Sequence, residues 1–227
     1  NIIKKYYNEK KNIEIYKSSI VKIINYLSDN ISNCCTFGTY IIQYNYILGN
    51  LCKLCDDMGI HLTLYGSGSV FTSNKPLNTE NDKPNNTQKY YLKCRAILEE
   101  SIQIYNNILF LRIQYPISLS HERCFMNKML KRCMNIHDQE VNITCVPDLF
   151  ALLPMLIEKD TKGILNFVNK DSIKLSKIME LYKKHVNNQL TINIVPSETS
   201  CGLLCTKKLD SLIDSNLTTT EESIYKL

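Results

Sequence analysis

Ile60-His61-Leu62-Thr63-Leu64-Tyr65-Gly66-Ser67-Gly68-Ser69, followed beyond a polar loop by Tyr91-Leu92-Lys93-Cys94-Arg95, is the stretch on which the fold turns. Ile60 to Tyr65 is a strand of buried type that ends in a Gly-Ser-Gly turn. About twenty polar residues follow, with Pro76 and Pro84 among them, too many for a simple connection and so read as a functional loop. Lys89 to Tyr105 reads as a helix. Ile108-Leu-Phe-Leu-Arg-Ile113 is the near-continuous apolar run expected of a strand buried on both faces. Strand, loop, helix and buried strand in that order make a unit of a parallel α/β sheet.

The alternation continues in both directions. Upstream, Ile2 to Tyr7 reads as a helix already under way, Asn12 to Tyr16 as a short strand and Ser19 to Leu27 as a helix. Asn33 to Phe37 reads as the next strand, and Ile41 to Met58 as a helix closed by Gly59. Downstream, Phe125 to Cys133 is helical, and Pro147 opens a helix running to Glu158. Gly163 to Val168 is a strand, Asp171 caps a helix that ends at His185, and Thr191 to Val195 is a last strand. The last twelve residues read as a weakly held helix. The fold class is therefore α/β, with a parallel sheet and helices on both faces. In such sheets ligands bind beyond the C-terminal strand ends. Gly66 to Ser69 and Gln114 to Ser118 both fall there.

Composition narrows the partners. The 227 residues suffice for one sizeable core, 44% of them are hydrophobic, and the net charge of +5 is spread without a Lys/Arg block that would mark a nucleic-acid surface. No apolar run approaches the ~20 residues of a membrane helix. Several of the ten cysteines fall on expected strands or apolar helix faces, which implies a reducing compartment, the cytoplasm. Cys52 and Cys55 form a lone CxxC within a helix, with no second pair at zinc spacing, so no metal is expected.

Ser67 on a strand end, and Tyr91 with a cation four residues later, are the parts of a carbonyl-reducing site. Such a site needs a proton donor at the carbonyl oxygen and a second hydrogen bond to hold that oxygen. Tyrosine is a weak acid, and bringing a phenol from its usual pKa near 10 to ~7 takes about 4 kcal/mol. A cation at i+4 lies on the same helix face, one turn away. Tyr91 and Arg95 meet that spacing, and Ser67 supplies the hydroxyl.

Residues Ile60 to Leu209 resemble the extended short-chain dehydrogenase/reductase family. The nearest branch is the bifunctional nucleotide-sugar 3,5-epimerase/4-reductases of rhamnose synthesis, related to dTDP-4-dehydrorhamnose reductase. The segments that carry the resemblance are Tyr65-Gly-Ser-Gly-Ser-Val-Phe71, Asp82-Lys-Pro-Asn85 leading into Tyr91, Leu111-Arg-Ile-Gln-Tyr-Pro-Ile-Ser118, Leu152-Leu-Pro-Met-Leu-Ile-Glu158, Gly163-Ile-Leu-Asn-Phe-Val-Asn169 and Glu180-Leu-Tyr-Lys-Lys184. The resemblance implies a Rossmann-type doubly wound sheet with a small C-terminal substrate-side lobe. It further implies NADPH, or NADH, as hydride donor, and a UDP- or dTDP-4-keto-6-deoxyhexose as substrate. One reductase domain is implied over 1–227, with 1–118 and 142–170 as the cofactor-side sheet and 119–141 and 171–215 as substrate-side segments. A homodimer through the helices Ile41–Met58 and Lys89–Tyr105 is the implied assembly.

The family roles fall on matching residues. Tyr91 stands at the catalytic tyrosine, and Ser67 where a hydroxyl holds the carbonyl. Lys128, in Phe125-Met-Asn-Lys128, matches an acid/base of epimerisation. Gly66, Tyr91, Arg95, Pro116, Ile117 and Ser118 match positions beside the cofactor. Ser67, Ser69, Phe71 and Lys128 lie on the substrate side, and Arg112 matches a structural arginine. The departures are informative. The family's first strand and Gly-rich phosphate turn do not occur in these residues; their expected place is just upstream of Asn1, and truncation explains this as well as genuine loss does. The stretch Cys34 to Tyr46 is shorter than the family's cofactor-side loop. Arg95 stands where the family has lysine; it keeps the charge, but cannot relay protons at neutral pH. Ser69 replaces a cysteine that the family pairs with the epimerising lysine. Ser197-Glu-Thr-Ser-Cys201 replaces a run containing a cation. A non-catalytic binding or regulatory subunit on the same scaffold is the alternative left open.

Overall fold

The computed structural model describes residues 37–72, 76–86, 89–118, 125, 135–189, 191–197, 201–213 and 216–226. The chain divides into two units, 1–44 and 45–227, and apart from the first turns of the first helix the second carries the elements described below. The elements expected before residue 33, and the helix after Phe125, lie outside the described residues.

Helix α1 spans Phe37–Asp57 and ends at Gly59, whose φ of +64° is the left-handed conformation that closes a helix without a Cβ clash. Phe37 thus belongs to a helix and not to the strand expected over 33–37. Strand β1, Leu62–Ser67, follows, then a single 3₁₀ turn over Gly68–Val70. Helix α2 is Tyr90–Ile102 and strand β2 is Ile108–Ile113. Short strands β3 (Pro116–Ile117), β4 (Asn135–Asp138), β5 (Glu140–Val141) and β6 (Thr144–Cys145) come next. The single helix expected from Pro147 to Glu158 is two, α3 over Val146–Phe150 and α4 over Leu153–Glu158. Pro154 explains the break: it has no N–H to give Phe150, and its ring would strike that carbonyl.

Strand β7, Gly163–Asn166, is followed by β8 (Ile173–Lys174) and α5 (Leu175–His185). Asp171 does not cap α5: it lies in a turn at φ +66°. Asp138 of β4 takes that role, its Oδ1 accepting from Ser176 N at 3.3 Å. The Ser176 side chain, then this backbone bond and Lys174, hold the Asp138 carboxyl below the usual range. Strand β9 (Asn193–Pro196), helix α6 (Lys207–Leu212) and helix α7 (Thr220–Tyr225) complete the order.

β1, β2 and β7 form one parallel sheet in the order β1-β2-β7. Its register sets Gly66 opposite Arg112, and Arg112 opposite Asn166. All of β2 but its last residue is buried, as its unbroken apolar run requires. Side chains alternate across a strand. Leu109 and Leu111 therefore share one face, where they pack with Leu149, Leu156, Leu165 and Leu209. Phe110 and Arg112 point the other way, toward α2. The remaining strands pair off: β3 with β6, β4 with β9 and β5 with β8. The expected last strand thus joins β4 and stays out of the main sheet. Under α5, Ile117, Val141, Ile143, Ile178 and Met179 make a second core.

The C-terminal helix is tied down more firmly than its sequence suggested. Ser223 is fully buried, donates to Asp148 at 2.6 Å and accepts from Asn169 Nδ2 at 2.7 Å. Asn169 Oδ1 in turn accepts from Cys145 N at 2.7 Å. A capping box between Thr219 and Glu222 starts the helix. Among the described residues, no helix is long and apolar enough to cross a membrane, and no cluster of metal-ligating side chains occurs.

Candidate active site

β1 carries Ser67 out of the sheet in extended conformation, and the next residues tighten into the 3₁₀ turn. Ser67 Oγ accepts from Ser69 N at 3.2 Å, the usual capping bond of a helix start. A hydroxyl that accepts in this way keeps its own proton to donate. Two glycines permit the close packing of the turn. A Cβ on Gly66 would stand 2.2 Å from Phe110 Cε1, and one on Gly68 would stand 2.7 Å from Leu204 Cδ1. Gly66 and Gly68 are thus fixed by packing against the sheet and the 202–205 segment.

The polar loop returns to this turn before α2 begins. Asn85 N and Asn86 N both donate to Val70 O, at 3.1 and 2.9 Å. Asn85 Oδ1 accepts from Thr72 N at 2.8 Å, and Asn86 Nδ2 donates to Ser69 O at 3.1 Å. The chain is therefore pinned beside Ser69 a few residues before Tyr91, and α2 packs against both β1 and the turn. Tyr91 is the second residue of α2 and Arg95 stands one turn further on. Arg95 Nε donates to Tyr91 Oη at 3.1 Å, and its guanidinium carbon lies 5.2 Å from the Tyr91 ring centre. Both side chains are half-buried.

The other expected residues separate. Ser69 is half-buried, and its backbone serves the turn. Phe71 is 1% exposed, with its ring 4.8 Å from the Arg112 guanidinium carbon, so it packs in the interior. Pro116 is exposed beyond β2, whereas Ile117 belongs to the core under α5 and Ser118 is buried. Lys128 lies outside the described residues. Metal ligands were not expected.

A cluster that sequence reading missed lies just past β2. Gln114 Nε2 donates to Cys201 Sγ at 2.8 Å and to Gly202 O at 3.2 Å. Tyr115, at φ +41°, accepts at its hydroxyl from Gln139 Nε2 at 3.1 Å. Burial pushes the Cys201 thiol up to about 11, and burial followed by the neighbouring Cys201 raises the Tyr115 phenol. Nothing in the local spacing pairs residue 115 with residue 201; only the fold does. A cavity of about 550 Å³ lies elsewhere, on the α2 side of β2 and β7, lined by Glu80, Glu100, Phe110, Arg112 and Lys208. Ser67, Tyr91 and Arg95 are not among its walls.

At the strand ends, then, a capped serine hydroxyl precedes a phenol that a guanidinium touches. A parallel sheet with this strand–turn–helix order is the scaffold of the Rossmann-type reductases. No family model matches the chain. The bifunctional dTDP-4-dehydrorhamnose 3,5-epimerase/dTDP-4-dehydrorhamnose reductase of Arabidopsis thaliana is 27% identical over 180 residues, 75% of this chain and 60% of that protein. The L780 UDP-rhamnose synthase of Acanthamoeba polyphaga mimivirus superimposes with a TM-score of 0.70 at 25% identity, over 78% of this chain and 68% of that one. The dTDP-4-dehydrorhamnose reductase of Bacillus anthracis, solved with NADP, superimposes at 0.66 with 15% identity over 78% of this chain and 68% of that one, a likeness of fold. The chain is thus similar to the reductase/epimerases of rhamnose synthesis. It spans 60% of the length of the Arabidopsis relative.

Proposed function

We propose that this chain is an oxidoreductase that reduces the 4-keto group of a UDP- or dTDP-linked 6-deoxyhexose at the expense of NADPH or NADH. One observation carries the reading: Arg95 Nε stands 3.1 Å from Tyr91 Oη on the helix that follows the Ser67 turn. In this reading Tyr91 gives its phenolic proton to the carbonyl oxygen, and the Ser67 hydroxyl donates a second hydrogen bond to the same oxygen. The Arg95 charge sits where negative charge develops on Tyr91 as the proton leaves, already in place and needing no reorganisation.

The donor set fits a nicotinamide dinucleotide: two hydroxyls and one guanidinium at a strand C-terminal end, where such ligands bind. Tyr91 and Arg95 would hold its ribose side, with Gly66 and Pro116 beside them. When bound, the nicotinamide supplies the hydride to the carbonyl carbon. The epimerising step is left out, because the Ser69 hydroxyl is a far weaker acid than a thiol. A cytoplasmic homodimer completes the proposal, with Tyr46, Ile97 and Ile104, each more than half exposed on or beside α1 and α2, at the contact.

The test is spectrophotometric. Mixed with a 4-keto-6-deoxyhexose nucleotide, the protein should consume NADPH, and Tyr91→Phe should stop it. Failure of the full-length protein to oxidise NADPH would refute the reading. Activity gained in Arg95→Lys with Ser69→Cys over an inactive parent would instead establish a scaffold that has lost its chemistry.

A further inference from the structure

The buried charges nearest this site lie behind it. Arg112 is the only arginine of β2, and it and Glu99 of α2 are each 1% exposed at the side chain. The guanidinium has five N–H groups, and each finds a partner. Nε donates to the Glu99 carboxylate at 3.2 Å, and one Nη2 hydrogen donates to Glu99 Oε1 at 2.5 Å. The second Nη2 hydrogen goes to Asp82 O at 3.0 Å. Nη1 donates to Thr79 O at 2.9 Å and to Asn166 Oδ1 at 3.3 Å. Phe71 lies against the guanidinium, its ring centre 4.8 Å away.

One side chain thus joins β2, β7, α2, the residue that follows the Ser67 turn, and two carbonyls of the loop between that turn and Tyr91. The loop is anchored along its length, with Asn78 bonded to Leu203, Cys205 and Asn166. Its far end is pinned to the turn through Asn85 and Asn86. At its near end, Arg112 donates to Thr79 O and Asp82 O, beside the bond from Asn166 N to Glu80 Oε1. Glu99 stands eight residues after Tyr91 on the same rigid helix, so holding Glu99 fixes the height and rotation at which Tyr91 is presented.

We infer that Arg112, paired with Glu99, is a positioning residue for reduction: it sets Tyr91 relative to Ser67 and touches neither substrate nor cofactor. This rests on the reading of Tyr91 and Ser67 as the reducing pair. Residue type matters as much as charge here. A lysine has three N–H donors from one point and cannot span a carboxylate and two carbonyls as a planar fork does.

The test compares Arg112→Lys with the double variant Arg112→Met plus Glu99→Leu. The double variant leaves no buried charge unpaired, so it remains folded should the lysine variant not. In both, kcat should fall at least ~30-fold while KM for NADPH stays within about twofold, the signature of lost transition-state positioning. Amide exchange over 79–86 should quicken, and the ¹³Cζ resonance of Tyr91, assigned with Tyr91→Phe, should shift. A folded variant that keeps wild-type kcat would overturn the inference, as would an unmoved Tyr91 resonance. Were the wild type itself inactive, the reductase reading would fall. The exchange and the Tyr91 resonance would still decide whether Arg112 positions that residue.

Discussion

Replacing Arg95 with methionine removes a charge and keeps an unbranched apolar stem. Arg95 Nε is 3.1 Å from Tyr91 Oη, which puts the centre of the guanidinium charge about 4 Å from the oxygen that loses its proton. At that distance a unit charge is worth ~1 kcal/mol in water and ~4 kcal/mol at the effective dielectric of a protein surface region. The pair is half-buried, so the appropriate value lies between, ~2–3 kcal/mol, or ~30- to 160-fold in rate. The loss should appear in kcat, measured as initial NADPH oxidation at saturating substrate, with a thermal melt of the variant as the check on folding. Arg95→Lys, which restores the charge with a different geometry, should recover most of the loss. A kcat for Arg95→Met within about threefold of wild type would refute the electrostatic role. An Arg95→Lys variant no better than Arg95→Met would show that the fork, and not the charge, is what Tyr91 needs.

Gly66→Ala should destabilise by ~1–3 kcal/mol in chemical denaturation, because the new Cβ would lie 2.2 Å from the Phe110 ring. The penalty should shrink when Phe110→Leu removes that ring, and an equal penalty in both backgrounds would contradict the packing argument. Stability should also fall in alkali. Burial pushes the Cys52 and Cys145 thiols from 9.0 up to about 11, which favours the neutral form in the folded state. That stabilisation is complete below about pH 9 and is lost as pH rises toward about 11, so the melting temperature should decline across that window and decline less in Cys52→Ala.

The parts of the fold that were legible in sequence are those where one local signal decides. β2 has the bounds its apolar run gave it, and Gly59 ends α1 as a left-handed glycine should. Tyr91 and Arg95 meet because helical spacing alone puts them on one face. The failures share a cause. Asp171 has the right residue type for a helix cap, but Asp138 arrives from a distant strand and takes the position. Phe71 and Ile117 are set beside the ligand only by the family resemblance, and both are 1% exposed in the fold. Gln114, Tyr115 and Cys201 could not be grouped at all, since they meet across 87 positions of chain.

The buried hub at Asn169 bears on the order in which the molecule can be made. Asn169 holds Cys145 N on one side and waits for Ser223 on the other, 54 positions later in the chain. Synthesis proceeds from the N-terminus at ~5–20 residues per second. Through most of that interval Asp148 and Asn169 lack both Thr218 and Ser223, the hydroxyls that pair with them in the fold. The sheet can therefore assemble on the ribosome, but its closing latch cannot. The Ser223 hydrogen bonds can form only after residue 223 has emerged, and until then the same polar groups are open to solvent or to a chaperone.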